Sequence, residues 1–535
     1  MNTAPSTLGR YVAELLAANG ITTVFGIPGV HTLELYRGLA DSGLTHVLVR
    51  HEQAAGFAAD GYARSSGRPA AAFVISGPGV TNILTPMAQA YSDSIPMLIV
   101  ASTPVRASLG KRWGVLHELP DQCALVASVL DRAHTAFCAE DVRDHIRAAL
   151  ASFRSGRPRP AYLEIPLDLL PQRTTLQAER FDSTAALPGA QPEEIEKAAA
   201  LLRAARRPLV IAGGGARSAG AQLLDLIEAL DCFLVTTAAG KGVVPEDHPG
   251  NLGASLPYRE TQELVAAADV VLAVGTELSE TDVYTTTKLA VSGRMIRIDV
   301  DAAKLADHYR AELAIRADAA PTLAAIGKAL TPRAGWRTLL GDARPMRARI
   351  DAQFDPSAQA RMRGLKAIRE ALPADGAVFS DMTQIAYLGN YAFPVDRPGT
   401  WFHPSGFGTL GYALPAALGA KIATPERAVI ALAGDFGLQF TLQELMTAVE
   451  TQQSLPIVLW NNQALSQIRD DMIAAGIAPI AVAARNPDFP AFAAACGAAS
   501  EQVANPAMLS EALCGALKRR GPTLIEATEA GFLAV

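Results

Sequence analysis

Helical and strand-like hydrophobic patterns alternate along the whole chain. Leu8 to Asn19 carries apolar residues at helical spacing and stops at Gly20. A short apolar strand at 23–26 follows and ends in the turn Ile27-Pro28-Gly29. Residues 46–49, 71–75 and 97–101 are also short, continuous and apolar, as strands buried on both faces are. Ala-rich helical stretches lie between them. The rhythm breaks between Pro171 and Pro192 and then resumes with strands at 208–216, 270–276 and 295–300. A polar stretch at 340–357 precedes a third series, at 377–380, 428–433, 456–460 and 523–526. This succession predicts an α/β chain of three consecutive doubly wound parallel-sheet domains. They are placed at 1–172, 193–345 and 346–535, with a linker at 173–192. The first and third units are alike in size and rhythm, which permits a distant duplication without showing one.

Composition narrows the partners. Half of the 535 residues are hydrophobic and 19% are charged, as in packed globular proteins. A net charge of −6 gives no electrostatic case for nucleic acid. No apolar run is long enough for a membrane span, and the start lacks the pattern of a signal peptide. Cys123, Cys138, Cys232, Cys496 and Cys514 form no Cys-x-x-Cys pair and are odd in number, so reduced thiols and a cytoplasmic location are expected.

The densest chemistry lies in the third unit. An apolar strand runs into Gly434-Asp435-Phe436-Gly437. Thr441-Leu-Gln-Glu444 has the spacing of a capping box and predicts a helix over 442–452. The next strand ends in Asn461-Asn462. Asp435 and Asn462 are 27 residues apart, one strand end to the next through a helical crossover. That puts both at the C-terminal edge of a parallel sheet, where ligands bind. A carboxylate and an amide oxygen suit Mg²⁺, whose coordination is commonly completed by phosphate oxygens. Gly-Asp alone would be an ordinary turn; the whole arrangement carries the expectation.

This stretch resembles the signature of thiamine-diphosphate enzymes, Gly-Asp-Gly followed at such a distance by Asn-Asn. The resemblance implies thiamine diphosphate and Mg²⁺ as cofactors. It also implies Asp435, Asn462 and the main-chain carbonyl of Ala464 as metal ligands, with Phe436, Gly437, Leu465 and Ser466 beside the diphosphate. Phe436 departs from the pattern, where the family usually has glycine, and so does Ser466. Gly406-Phe407-Gly408-Thr409-Leu410-Gly411 resembles the family's loop that presses a large apolar residue, here Leu410, between the cofactor rings. Gly408, Thr383 and Gln384 are further implied contacts.

In the first unit, Val49 to Arg64 resembles the family's pyrimidine-side segment. Glu52 would hydrogen-bond the aminopyrimidine ring and activate the cofactor. On its own, a Glu at a helix start is usually a cap, favoured there by the helix dipole. Phe25 to Gly29 and Ser76 to Asn82 look like the adjoining loops, with Pro28 and Asn82 at the cofactor. The likeness runs from about residue 5 to 530 and is closest to the acetolactate synthase-like branch. It implies a homo-oligomer, at least a dimer, in which Glu52 of one subunit serves the cofactor held by Asp435 of another.

Within that branch, the segments Ile27 to His31, Leu116 to Pro120 and Asp381 to Gln384 look more like those of 2-oxo-acid decarboxylases than of acetolactate synthases. The implied reaction yields an aldehyde and CO₂, with 5-guanidino-2-oxopentanoate as the expected substrate. Glu118, Asp121, Asp470 and Asp471 are candidates to hold its guanidinium. His31 and His117 are candidates to move protons. Acetolactate synthase or another carboligase is the alternative. FAD remains possible, but the bare triplet Gly213-Gly214-Gly215 gives it little support. A catalytically inactive binding or scaffold subunit is a reading of another class, and the intact Glu52, Asp435 and Asn462 argue against it.

Overall fold

A computed structural model of the chain describes residues 6–182, 185–483 and 485–534. In the first unit the strands are β1 (Thr23–Gly26), β2 (Thr45–Leu48), β3 (Ala70–Val74), β4 (Met97–Thr103), β5 (Ala133–Thr135) and β6 (Ala161–Pro166). They form one parallel sheet in the order β2-β1-β3-β4-β6-β5. The second unit holds β7 (Pro208–Ala212), β8 (Phe233–Thr236), β9 (Val270–Val274), β10 (Arg294–Asp299) and β11 (Leu313–Arg316). Their order is β8-β7-β9-β10-β11, again parallel. In the third unit lie β12 (Ala377–Ser380), β13 (Trp401–Phe402), β14 (Val429–Gly434), β15 (Leu455–Asn461), β16 (Ala499–Val503) and β17 (Pro522–Thr528). Their order, β13-β12-β14-β15-β17-β16, repeats that of the first sheet strand for strand.

Alternation along each strand sends side chains to both faces, and helices cover both. Val24, Leu98 and Leu163 belong to one apolar cluster of the first sheet. Phe25, Ile99 and Tyr162, their chain neighbours, belong to the other. Six strands escape the hydrophobic pattern. β5, β11 and β16 are edge strands of mixed polarity, and β13 has two residues. β8 is too short to stand out, and β6 carries the buried Glu164 in its middle.

The segment expected to be a linker starts against the first unit. Arg173–Thr174 pairs antiparallel with Ser6–Thr7, and Leu176, Ala178 and Phe181 pack on the first core. The first and third units meet along the helices Glu52–Ser66 and Ala413–Ala423. Glycine makes that approach possible: a Cβ on Gly61 would stand 2.7 Å from the Ala416 Cα, and one on Gly419 2.8 Å from the Ala58 Cα. Arg157 ties the first unit to the second through Glu277, Asp299 and Asp301.

Candidate active site

Two clusters form at the C-terminal edges of the outer sheets. In the third unit, β14 and β15 are neighbours with Gly434 opposite Trp460, so Asp435 and Asn462 leave adjacent strand ends. Asp435 opens the short helix Asp435–Phe440 and is buried. Burial raises its carboxyl above the usual range, opposed by hydrogen bonds from Asn486 and from main-chain amides that include Phe436 and Gln463. Asn486 Nδ2 donates to Asp435 at 2.7 Å and to Asn461 Oδ1 at 3.1 Å, which locks the two strand ends together. Asn462 Oδ1 accepts from the Ala464 amide at 3.3 Å, and the Leu465 amide donates to the Val482 carbonyl. Buried Ser466 opens the helix Ser466–Ala474.

Asp381 organises the surrounding loops, a role that its place at the head of the Asp381 to Gln384 segment does not reveal. It accepts from the amides of Met382 at 2.8 Å and Gly411 at 3.0 Å, and from those of Tyr412 and Ala413. It thereby holds the loop bearing half-buried Leu410 and the start of the Ala413–Ala423 helix. Burial pushes its carboxyl up to about 6 despite these donors. Gly408 lies beside Met382. The glycines of Gly-Asp-Phe-Gly now separate by need. A Cβ on Gly437 would stand 2.9 Å from the Asp381 carboxylate, and one on Gly434 2.9 Å from Thr383 Oγ1. Position 436 has no left-handed φ and its side chain is half-buried. Phe436 is therefore compatible with the same backbone path.

One expectation fails here. Thr441 and Glu444 do not form a capping box, and the helix begins at Glu444 rather than 442, running to Thr451. Thr441 Oγ1 donates instead to the Gly411 carbonyl at 2.8 Å, and Glu444 turns to the first unit. Long-range partners outcompete the local cap. Gln384 also has protein partners: its Oε1 accepts from Arg361 and its Nε2 donates to Asp470.

In the first unit, Glu52 opens the helix Glu52–Ser66 and is buried, its Oε2 accepting from Asn82 Nδ2 at 2.9 Å. Gly79 lies beside the other oxygen; a Cβ there would stand 3.6 Å from it and 3.0 Å from Ile75 Cγ1. His31, on the loop that carries exposed Pro28, meets Ser76 Oγ through Nδ1 at 2.6 Å. Its ring stands edge-on to His117 at 4.9 Å. Burial, and then the neighbouring His117, lower the His31 pKa, which keeps the ring neutral near pH 7. His117 has a left-handed φ of 63° and a buried Nδ1 without a partner among the described residues. It packs on Gly77, which takes φ +66° and leaves no space for a Cβ. Buried Gln122 pins this turn by accepting from the Gly77 amide at 2.8 Å, while its Nε2 donates to Ser102, Tyr162 and Glu164.

Among the described residues no three His, Cys, Asp or Glu side chains gather as a metal site. A cation at Asp435 would need amide, carbonyl and ligand oxygens, as a Mg²⁺ bound together with a diphosphate does. Asp435 is buried and, among the described residues, has no cationic side chain paired to it, so the donor set fits such an ion. The glycine triplet 213–215 serves close backbone packing: a Cβ on Gly213 would meet Thr276, and one on Gly215 would meet Gly275. Among the described residues no hydrogen bond runs directly between Glu52 and Asp435 within the chain.

These features define a cofactor enzyme divided between two sheet edges, and the chain belongs to the thiamine pyrophosphate enzymes. Their N-terminal TPP-binding domain matches residues 6–125, their central domain 195–326 and their C-terminal TPP-binding domain 381–527. Thiamine diphosphate is its cofactor, with Mg²⁺ typical of the family. Across 97% of its length and 93% of the relative's, the chain is 48% identical to a probable 2-ketoarginine decarboxylase, AruI, of Pseudomonas aeruginosa. It is 31% identical to the acetolactate synthase isozyme 1 large subunit of Escherichia coli, over 86% of this chain and 83% of that one. A probable acetolactate synthase large subunit of Methanocaldococcus jannaschii is 29% identical over 96% and 90%.

Proposed function

We propose that the chain decarboxylates 2-ketoarginine, which is 5-guanidino-2-oxopentanoate, to the corresponding aldehyde and CO₂. The observation that carries this is the 48% identity, end to end, to the Pseudomonas protein, against 31% to the Escherichia coli acetolactate synthase. Thiamine diphosphate supplies a carbon nucleophile and a sink for the electrons of the departing carboxylate. Asp435, Asn462 and the Ala464 carbonyl would hold Mg²⁺, with Gly437 beside the diphosphate and the Phe436 amide donating to Asp435. Leu410 would pack against the cofactor, with Gly408, Thr383, Gln384, Leu465 and Ser466 around it. Glu52, oriented by Asn82, would hold or take up a proton beside the aminopyrimidine, next to Pro28. Neutral His31, bonded to Ser76 through Nδ1, would with His117 relay a proton taken up from solvent to the position that completes the aldehyde. The reaction is redox-neutral, so no step uses a flavin.

For the guanidinium, Asp471 is the favoured partner. Glu118 accepts from the amides of Trp113 and Gly114, and Asp121 caps the helix that follows it. Asp470 pairs with Arg469 and accepts from Gln384. Among the described residues Asp471 accepts only from Gln467 Nε2, at 3.1 Å, and it lies on the helix that follows the Asn462 loop.

The active form is a homo-oligomer with each site shared between subunits. Supporting this, exposed apolar residues lie on the segments that carry both half-sites: Val30, Leu33 and Leu116 near the histidines in sequence, Phe407 in the Leu410 loop, Phe440 at the end of the helix that Asp435 opens, and Ile468 in the helix after the Asn462 loop. All five cysteines are unpaired, and no helix among the described residues is long and apolar enough to cross a membrane. A reducing, cytoplasmic setting belongs to the same proposal. The test is turnover of a panel of 2-oxo acids with thiamine diphosphate and Mg²⁺, reading CO₂, aldehyde and acetolactate separately. 2-Ketoarginine is expected to be the best substrate; acetolactate from pyruvate as the main product would overturn the reading.

A further inference from the structure

Glu444 is a fully buried carboxylate with no part in the metal cluster. Although it stands at the start of its own helix, both its oxygens serve other groups. Oε1 accepts from the Arg50 amide at 3.0 Å and Oε2 from the Thr447 hydroxyl at 2.7 Å, and the His51 amide donates to the carboxylate as well. Arg50 and His51 are the two residues immediately before Glu52. Arg50 is held a second time, its guanidinium pairing with Glu450 one helical stretch further along. His51 in turn caps the Glu52–Ser66 helix, its Nδ1 accepting from the Gln53 amide at 3.1 Å.

The backbone leading into Glu52 is thus fixed from the third unit, and the Glu52 carboxylate is fixed by Asn82 within the first. The segment that carries Glu444 is anchored in turn. Three residues earlier, Thr441 donates to the carbonyl of Gly411, the residue after Leu410. Thr441 and Glu444 together therefore connect the loop of one half-site to the glutamate of the other within a single chain.

We propose that Glu444 is a positioning residue for cofactor activation: it sets the orientation of Glu52 by holding the Arg50 and His51 amides. This rests on the proposed role of Glu52. Without the carboxylate those amides lose their acceptor in a dry contact between units, and the Glu52 main chain shifts to find another. A displacement near 1 Å is enough to slow a positioned proton transfer by up to about 100-fold.

The direct readout is exchange of the C2 proton of bound thiamine diphosphate in D₂O, quenched with acid and measured by NMR. It reports cofactor activation before any substrate chemistry. At saturating cofactor and Mg²⁺, Glu444→Ala is expected to slow exchange by roughly 10- to 100-fold, while the affinity for both stays close to that of the unaltered protein. Glu444→Gln should recover most of the rate, because the amide oxygen can accept both N–H groups and its NH₂ can donate to Thr447. Glu444→Asp keeps the charge but retracts it by one methylene, and should be slow. It decides the matter if the alanine variant does not fold. Normal exchange in a folded Glu444→Ala or Glu444→Asp protein overturns the proposal. Unchanged exchange in Glu52→Gln would instead remove the reading of Glu52 on which it rests.

Discussion

Replacing Gly61 with alanine sets two effects against each other. Gly61 lies inside the Glu52–Ser66 helix, where alanine is favoured over glycine by about 1 kcal/mol. The added methyl, however, would stand 2.5 Å from the Ala416 carbonyl carbon and 2.7 Å from its Cα, and nearer still to its oxygen. These are main-chain atoms of a buried helix and cannot swing aside. Gly419 makes the reciprocal approach to Ala58, so the two helices would have to part along the whole seam. Overpacking of this kind costs about 1–3 kcal/mol and occasionally more. Because main-chain atoms are met on both helices, the upper part of that range applies and the clash is expected to win, with a net loss of up to about 2 kcal/mol. Gly327 supplies the control: it lies in the Ala319–Lys328 helix with nothing within 4 Å of where a methyl would stand, so Gly327→Ala should gain about 0.5–1 kcal/mol. Urea and thermal unfolding of both variants under one set of conditions provides the measurement. A chain of three units need not unfold in one step, so the midpoints are compared rather than converted. Gly61→Ala should also lose turnover, since Glu52 opens one helix of the seam and Asp381 holds the start of the other. A Gly61→Ala protein as stable as the unaltered chain would refute the reasoning.

The two glycine-signature positions should behave oppositely. Gly437→Ala is expected to weaken cofactor and Mg²⁺ binding by at least about tenfold through displacement of Asp381, an energy well within the overpacking range; Phe436→Gly should leave it within a few-fold, as read by cofactor titration. Glu444 gives a pH-dependent prediction. Burial raises its folded-state pKa from 4.5 to about 7, against the hydrogen bonds from Thr447 and Arg50. The folded chain then binds the proton more tightly than the unfolded chain, so this group's favourable contribution is full below 4.5 and is lost as pH rises through 7. Glu444→Gln should therefore match the unaltered protein near pH 4.5 and exceed its stability by an amount on the order of 3 kcal/mol at pH 8, checked by denaturation across that range. Asp471→Asn is expected to raise KM for 2-ketoarginine by roughly tenfold or more, the scale of one charge-assisted pair, and to leave an uncharged 2-oxo acid unaffected.

Much of the architecture is legible in the sequence because central parallel strands are continuous apolar runs. β3, β4, β9 and β14 announce themselves in this way, whereas the edge strands β5, β11 and β16 carry too much polarity to do so. The Asp435 and Asn462 positions follow from strand ends and crossover length alone. What escapes is whatever depends on distant partners. Gln122 and Asn486 sit in unremarkable local sequence, and Asp381 heads a segment that does not reveal its role; their importance comes from the amides and side chains that the fold delivers to them. Thr441 and Glu444 show the opposite error. Their spacing matches a local motif, but each side chain bonds across the fold. Phe436 looks like a damaged signature on paper, yet only positions 434 and 437 require glycine sterically.

The proposed sharing of each site between two subunits has a genetic consequence. On the proposed dimer, each subunit contributes to two sites and owns neither. Subunits bearing Glu52→Gln and subunits bearing Asp435→Ala would both be inactive alone. A mixed dimer would hold one site carrying both lesions and one carrying none. Random reassembly of equal amounts would return about a quarter of normal activity, since half the dimers are mixed and each has one working site of two. Two defective alleles of this gene would then complement each other in one cell.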